Sequence, residues 1–81
     1  MKTVQEIVGS ANITHIGYDD EANELRVTFG SGTTFKYEGV LPEMHSALMS
    51  AESRGSFFAR NIKLGFPASK VDGQFEIEIS E

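Results

Sequence analysis

Polar and apolar residues alternate along Glu24–Phe29, where Leu25, Val27 and Phe29 interleave with Glu24, Arg26 and Thr28. A period of two places the first three on one face of a strand and the others on the opposite face. The pattern repeats over Thr33–Glu38, with Phe35 and Tyr37 set against Thr34, Lys36 and Glu38. Gly30-Ser31-Gly32 separates the two runs, and a loop this short, with glycines that admit positive φ, predicts an antiparallel hairpin. Upstream, Ile13–Tyr18 is rich in β-branched and aromatic residues and predicts another strand. Ile13 and Ile16 are three residues apart, so a β-bulge is needed to keep both on one face. Asp19–Asn23 is a turn. Val4, Ile7 and Val8 fit a short strand or a helical turn equally well. In the tail, Phe75, Ile77 and Ile79 alternate with Glu76 and Glu78, which predicts a last strand over Gln74–Ser80. Its glutamates would discourage uncontrolled edge pairing.

Between the hairpin and the tail the period changes. Pro42 suits the first turn of a helix, where its missing N–H has no partner to lose, and Glu43 complements the helix dipole. Met44, Ala47, Leu48 and Ala51 form an apolar stripe at helical spacing. Gly55 is the expected stop for this helix. Ser56 is the expected cap of a second short helix, in which Phe58 and Ile62 share a face and Gly65 and Pro67 end the run. The expected class is α+β, an antiparallel sheet of about four strands with two helices packed on one face.

With 81 residues the chain makes one domain. No cysteine is present, so neither a disulfide nor a thiolate zinc site can brace it, and this fits the cytoplasm. No apolar run approaches the roughly 18 residues of a membrane-spanning helix. The segment from Met1 to Glu6 has no long apolar core of a secretory signal. Seven basic and twelve acidic residues give a net charge of −5, which argues against strong nonspecific binding to long nucleic acid. The distribution is uneven: Arg54, Arg60, Lys63 and Lys70 follow one another with no acid between them.

Catalytic patterns are missing from this picture. Ser31 sits between two glycines in a hairpin loop, not on the strand-to-helix turn of a nucleophile elbow. His15 and His45 are the two histidines, and no third ligand is placed to complete a metal site with them. The Asp19–Glu24 acids lack the spacing of a calcium loop. No enzyme, cofactor or metal is therefore expected. Arg54, Arg60 and Lys63 are the better candidates, since guanidinium forks suit phosphate or carboxylate. Ser56 and the N–H groups after it would add a helix N-terminus for an anion. Tyr18 and Tyr37 could border a ligand or stack bases, although such aromatics usually fill a core.

Ser10, Asn12-Ile13, Ile16-Gly17-Tyr18-Asp19, the Leu25–Phe29 strand, Tyr37, Val40, Pro42 and Ala51-Glu52-Ser53-Arg54-Gly55-Ser56-Phe57-Phe58 occur in the order and spacing of a known pattern. Over Ser10–Phe66 the chain resembles the KTSC domain, named for the C-terminal region of some lysyl-tRNA synthetases and found also as small free-standing proteins. It departs from that pattern in three ways. Phe35 replaces the first tyrosine of a Tyr-x-Tyr pair, Leu41 is an extra residue before Pro42, and Ala59 follows Phe58 where asparagine is common. The resemblance implies RNA binding by association with the synthetases. The residues themselves favour a noncatalytic module for a small phosphorylated ligand such as a nucleotide or nucleotide signal. A phage or mobile-element accessory that sequesters such a signal would suit this form. So small a domain struggles to enclose a pocket of roughly 300 Å³ alone, which places the site at a homo-oligomer interface. A protein-interaction domain using Phe57 or the Phe75–Ile79 strand is the third class.

Overall fold

A computed structural model of the protein describes residues 2–7 and 12–75. The predicted hairpin is its centre. β2 (Ile13–Asp19), β3 (Glu24–Phe29) and β4 (Thr34–Glu38) pair antiparallel, with Tyr18 opposite Leu25 and Leu25 opposite Tyr37. One step along, Ile16, Val27 and Phe35 are aligned in the same way. Both rows point to one face because the register preserves the period of two. The bulge expected from the Ile13–Ile16 spacing is present as a register shift between Ile13 and His15. The Asp19 carboxylate closes the β2–β3 turn by accepting from the Glu21 and Ala22 amides, and Asn23 takes φ +53°. In the next loop Gly32 takes φ +91°, where a side chain would be strained.

Two further strands extend the sheet, giving the order β1-β2-β3-β4-β5. β1 (Lys2–Glu6) places Val4 in a strand against β2; Ile7 follows the strand, and Val8 lies outside the described residues. β5 (Ala68–Val71) adds to the far side of β4, and the sequence patterning does not announce it. The total is five strands rather than about four. Of the strand predicted over Gln74–Ser80, Gln74 and Phe75 lie outside any strand, and the remainder falls outside the described residues.

α1 (Pro42–Ser50) starts at the proline as expected but ends at Ser50, well short of Gly55. Gly55 instead lies inside α2 (Arg54–Phe57), which runs directly into a π-helical turn, Phe58–Ile62. The wider turn is closed by the Lys63 amide donating to the Phe58 carbonyl at 2.9 Å. Of the expected stripe on α1, Leu48 is fully buried, Met44 is half-buried, and Ala47 is exposed. Phe58 and Ile62 are both buried, and Phe58 meets the rings of Phe29 at 5.7 Å and Tyr37 at 5.2 Å, both edge-on. These contacts seal the helical layer onto one face of the sheet, so the architecture is α+β.

The opposite face carries Gly17, Arg26 and Thr28, and the chain after β5 crosses it. The Gln74 amide donates to the Arg26 carbonyl and to Thr28 Oγ1, each at 3.0 Å. Arg26 Nη1 donates to the Gly73 carbonyl at 2.9 Å, and its guanidinium stacks over the Phe75 ring at 4.4 Å. The Gln74 side chain thereby ties the crossing segment to β3, while its own Oε1 is buried without a hydrogen-bond partner.

Candidate functional site

The six positions expected to bind a ligand do not gather into one site. Tyr18 and Tyr37 are 4% and 3% exposed. Burial pushes both hydroxyls above their usual range, and for Tyr18 the nearby Asp20 and Asp19 charges add to the shift. The Tyr18 hydroxyl donates to the Val40 carbonyl at 2.7 Å, and its ring stacks on His45 at 4.4 Å. Both tyrosines therefore serve the core and present no ring for base stacking.

Arg54 turns back toward α1 and donates through Nη2 to the Met49 carbonyl at 3.1 Å. It closes the end of a helix that has no basic residue in its last turn. Ser56 is not the cap of the second helix. Ser53 is, with its hydroxyl accepting from the Ser56 amide at 3.4 Å. The N–H groups after Ser56 are already used, the Phe57 amide donating to the Ser53 carbonyl at 3.0 Å and the Phe58 amide to the Arg54 and Gly55 carbonyls, and the expected anion cradle there is withdrawn. Arg60 and Lys63 are both exposed. Of the six, Lys63 alone lines a groove found among the described residues.

That groove has a volume of about 500 Å³ and lies between the hairpin loop and the second helix. Asn12 and Ile13 contribute from the start of β2, and Gly30 and Ser31 from the β3–β4 loop. The Gly30 amide donates to the Asn12 carbonyl at 2.9 Å, which fixes these two segments against each other. Gly55, Ala59 and Lys63 follow at intervals of four along the helix, so two small residues form a shelf that ends in an ammonium group. Phe29 and Phe58 supply the apolar floor. Lys63 has no ion-pair partner among the described residues. A flat, partly apolar body with one anionic group matches this lining: rings on the shelf, polar atoms at Asn12 and Ser31, the charge at Lys63.

Asn12, Gly30, Ser31 and Ala59 escaped sequence reasoning as site residues. Asn12, Ile13, Phe29, Gly55 and Phe58 do belong to the motif pattern quoted above, and their convergence on one groove is a signal that pattern contained. On the other side of the helix, Phe57 is half-buried and lines an apolar groove of about 310 Å³ with Leu41, Met44 and Phe66. Among the described residues no group of three or more histidine, aspartate or glutamate side chains could hold a metal ion. No helix among them is long and apolar enough to cross a membrane.

His45, expected on the helix surface, is half-buried against Tyr18, and burial lowers its pKa below the ordinary 6.5. Above the unfolded-state value the imidazole is neutral in both states and pH has no effect through it. As pH falls through that value the unfolded chain takes up the proton first, so stability declines until the folded-state pKa is passed. Thermal unfolding between pH 8 and 5 should show this loss of stability below about pH 6.5, and His45→Phe should flatten it. An unchanged acid limb in the variant would assign the effect to other groups.

A family model for the KTSC domain matches residues 9–66. An uncharacterized protein of Stutzerimonas stutzeri (strain A1501) is 41% identical over 54 residues, covering 67% of this chain and 76% of that protein. A protein of Tsukamurella paurometabola is 38% identical over 61 residues, covering 75% and 91% respectively. The crystal structure of a KTSC domain protein from Yersinia pestis superposes with a TM-score of 0.81 at 35% identity, covering 88% of this chain and 99% of that one. The motif pattern, the matched span and the shared architecture agree, and the chain belongs to the KTSC domain family.

Proposed function

We propose that this chain is a noncatalytic binding module for a small phosphorylated ligand of nucleotide size, seated in the groove between the hairpin loop and the second helix. The observation that carries this reading is the placement of Lys63, a cation without an ion-pair partner among the described residues, at the end of the Gly55–Ala59 shelf. An ammonium group suits a phosphate as a point charge, and the small residues let a planar ring lie close to the helix backbone. The whole lining falls within residues 9–66, the span that the family model matches. The buried tyrosines weigh against the alternative of single-stranded RNA stacking on the sheet, because that face is already occupied by the helices.

Titration with AMP, followed by amide chemical shifts and by thermal shift, tests the reading. Saturable changes are expected at Gly30, Ser31 and Ala59, with a rise in melting temperature that follows mass action. Lys63→Ala should weaken binding about tenfold, the loss of one charge-assisted contact, while Lys63→Arg keeps it. Ala59→Leu should block entry without altering charge. Binding that is unaffected by both Lys63→Ala and Ala59→Leu, or absent at several millimolar AMP, overturns the proposal.

A further inference from the structure

Two large apolar side chains among the described residues stand in water, Leu41 at 51% exposure and Leu64 at 85%. One exposed leucine needs no explanation; the setting of these two does. Leu41 lines the apolar groove of about 310 Å³ on the Phe57 side of the second helix, with Met44, Ala47, Phe57 and Phe66. Glu43 is the one charged residue in that lining, and it is exposed. Leu64 sits in the turn after the π-helical segment, two residues before Phe66. Two residues of chain reach at most about 7 Å, so the protruding leucine and the groove are neighbours on one surface. At 85% exposure Leu64 does not fill the groove of its own chain. Arg60 precedes it by four residues, a spacing that keeps both on one side of a helix whether the turn is α- or π-helical. Arg60 is exposed, and neither it nor Glu43 has an ion-pair partner among the described residues. The surface thus carries both halves of a contact: an apolar hollow with an acid at its rim, and an apolar knob with a cation beside it.

We propose that a second copy of this chain occupies the groove, in a two-fold homodimer where the Leu64 of each chain enters the groove of the other and Arg60 meets Glu43 across the rim. A two-fold axis makes the same contact twice, which suits a knob and a hollow that lie side by side. Removing Leu64, Leu41 and the groove walls from water drives the association. The rim pair sets register and adds little affinity, because it stays wet. None of the residues lining the Lys63 groove takes part, so dimerisation and ligand binding there stand or fall separately.

Sedimentation velocity of the full chain from about 10 µM to about 1 mM tests the proposal, with a reversible monomer–dimer equilibrium as the expected result. Leu64→Glu should weaken dimerisation about tenfold or more, because it drives a carboxylate into an apolar hollow. The melting temperature at the lowest concentration should hold, since that side chain is exposed in the single chain. Arg60→Glu should weaken the dimer about threefold by setting two acids against each other, and adding Glu43→Arg should restore it. A chain that stays monomeric throughout, a dimer indifferent to Leu64→Glu, or an Arg60→Glu defect that Glu43→Arg does not repair would each overturn the assignment. So would an open-ended assembly, which head-to-tail insertion builds in place of a closed pair. Saturable amide shifts at Ala47 and Phe66 when an amphipathic peptide is added to a strictly monomeric chain would give the groove to another protein, and the second copy would be excluded.

Discussion

Phe58→Ala should cost about 3–5 kcal/mol, enough to leave the domain largely unfolded at physiological temperature. Native stability for a chain of this length is about 4–12 kcal/mol, so one such loss consumes much or all of it. The position earns this weight from its place in the layers. The ring is buried, meets Phe29 and Tyr37 edge-on, and is the main aromatic link from the helical layer to the hairpin. Its carbonyl also closes the π-helical turn. Truncation leaves a cavity that neither strand nor helix can fill without breaking the sheet register, and the edge-to-face contacts are lost with it. Phe58→Leu keeps most of the volume and should cost far less. Urea unfolding of the two variants reads the difference, and near-equal stabilities would show that the helical layer is anchored elsewhere. The same substitution removes the floor of the Lys63 groove, so ligand tests on that groove belong on Lys63 and Ala59, which are exposed.

The central hairpin was legible in the sequence because a half-buried strand writes its two faces as an alternation, and Leu25, Val27, Phe35 and Tyr37 do this cleanly. The bulge was legible too, from a spacing of three where two or four was required. β5 was not, because Ala68-Ser69-Lys70-Val71 is a short edge strand with no buried side chain, and an edge that packs on nothing carries no pattern. The helix boundary failed for a different reason. Gly55 is a common stop, but here it lies in the first turn of α2, behind the Ser53 cap, where its helix cost is small against the packing of Phe58 and Ile62. Ser53 and Ser56 are both good caps by type, and three residues between them allow either; the backbone of Ser53 is extended, which selects it.

The charge pattern misled more than the hydrophobic one. Hydrophobic periodicity reports a local fact, the direction of a side chain from its own element. A run of cations reports only adjacency in sequence, and on a helix neighbours point apart. Arg54, Arg60 and Lys63 accordingly take three separate roles or positions. Lys2 and Arg26 meet over the Phe75 ring because β1, β3 and the segment after β5 bring them together. That long-range arrangement has no sequence signature, and it depends on one small residue.

Gly17→Val should destabilise the fold by about 2–3 kcal/mol, although valine is the better strand former. Gly17 lies in the middle of β2 without a positive φ, so the backbone itself does not require glycine. The space above it does. A β-carbon there would overlap the Gln74 side chain and come within 3.0 Å of the Phe75 ring. The residue is small so that the crossing segment can lie flat on the sheet, with Gln74 on the Arg26 carbonyl and Thr28 Oγ1. A side chain at position 17 must displace the Gln74 amide group and press on the Phe75 ring, and the Gln74 hydrogen bonds go first. The signature is non-additivity. Gln74→Ala alone should cost about 1 kcal/mol, the net value of the contacts it loses. Combined with Gly17→Val it should cost less than the sum by about 1 kcal/mol or more, because the first change has already discarded what the second removes. Chymotryptic cleavage after Phe75 should quicken in Gly17→Val, since a protease needs that segment lifted. Additive costs within about 0.5 kcal/mol, with no change in cleavage, would mean that Gly17 and the crossing segment act independently. The expected coupling would instead make Gly17 the seat on which Phe75, with Lys2 and Arg26 over its ring, is assembled.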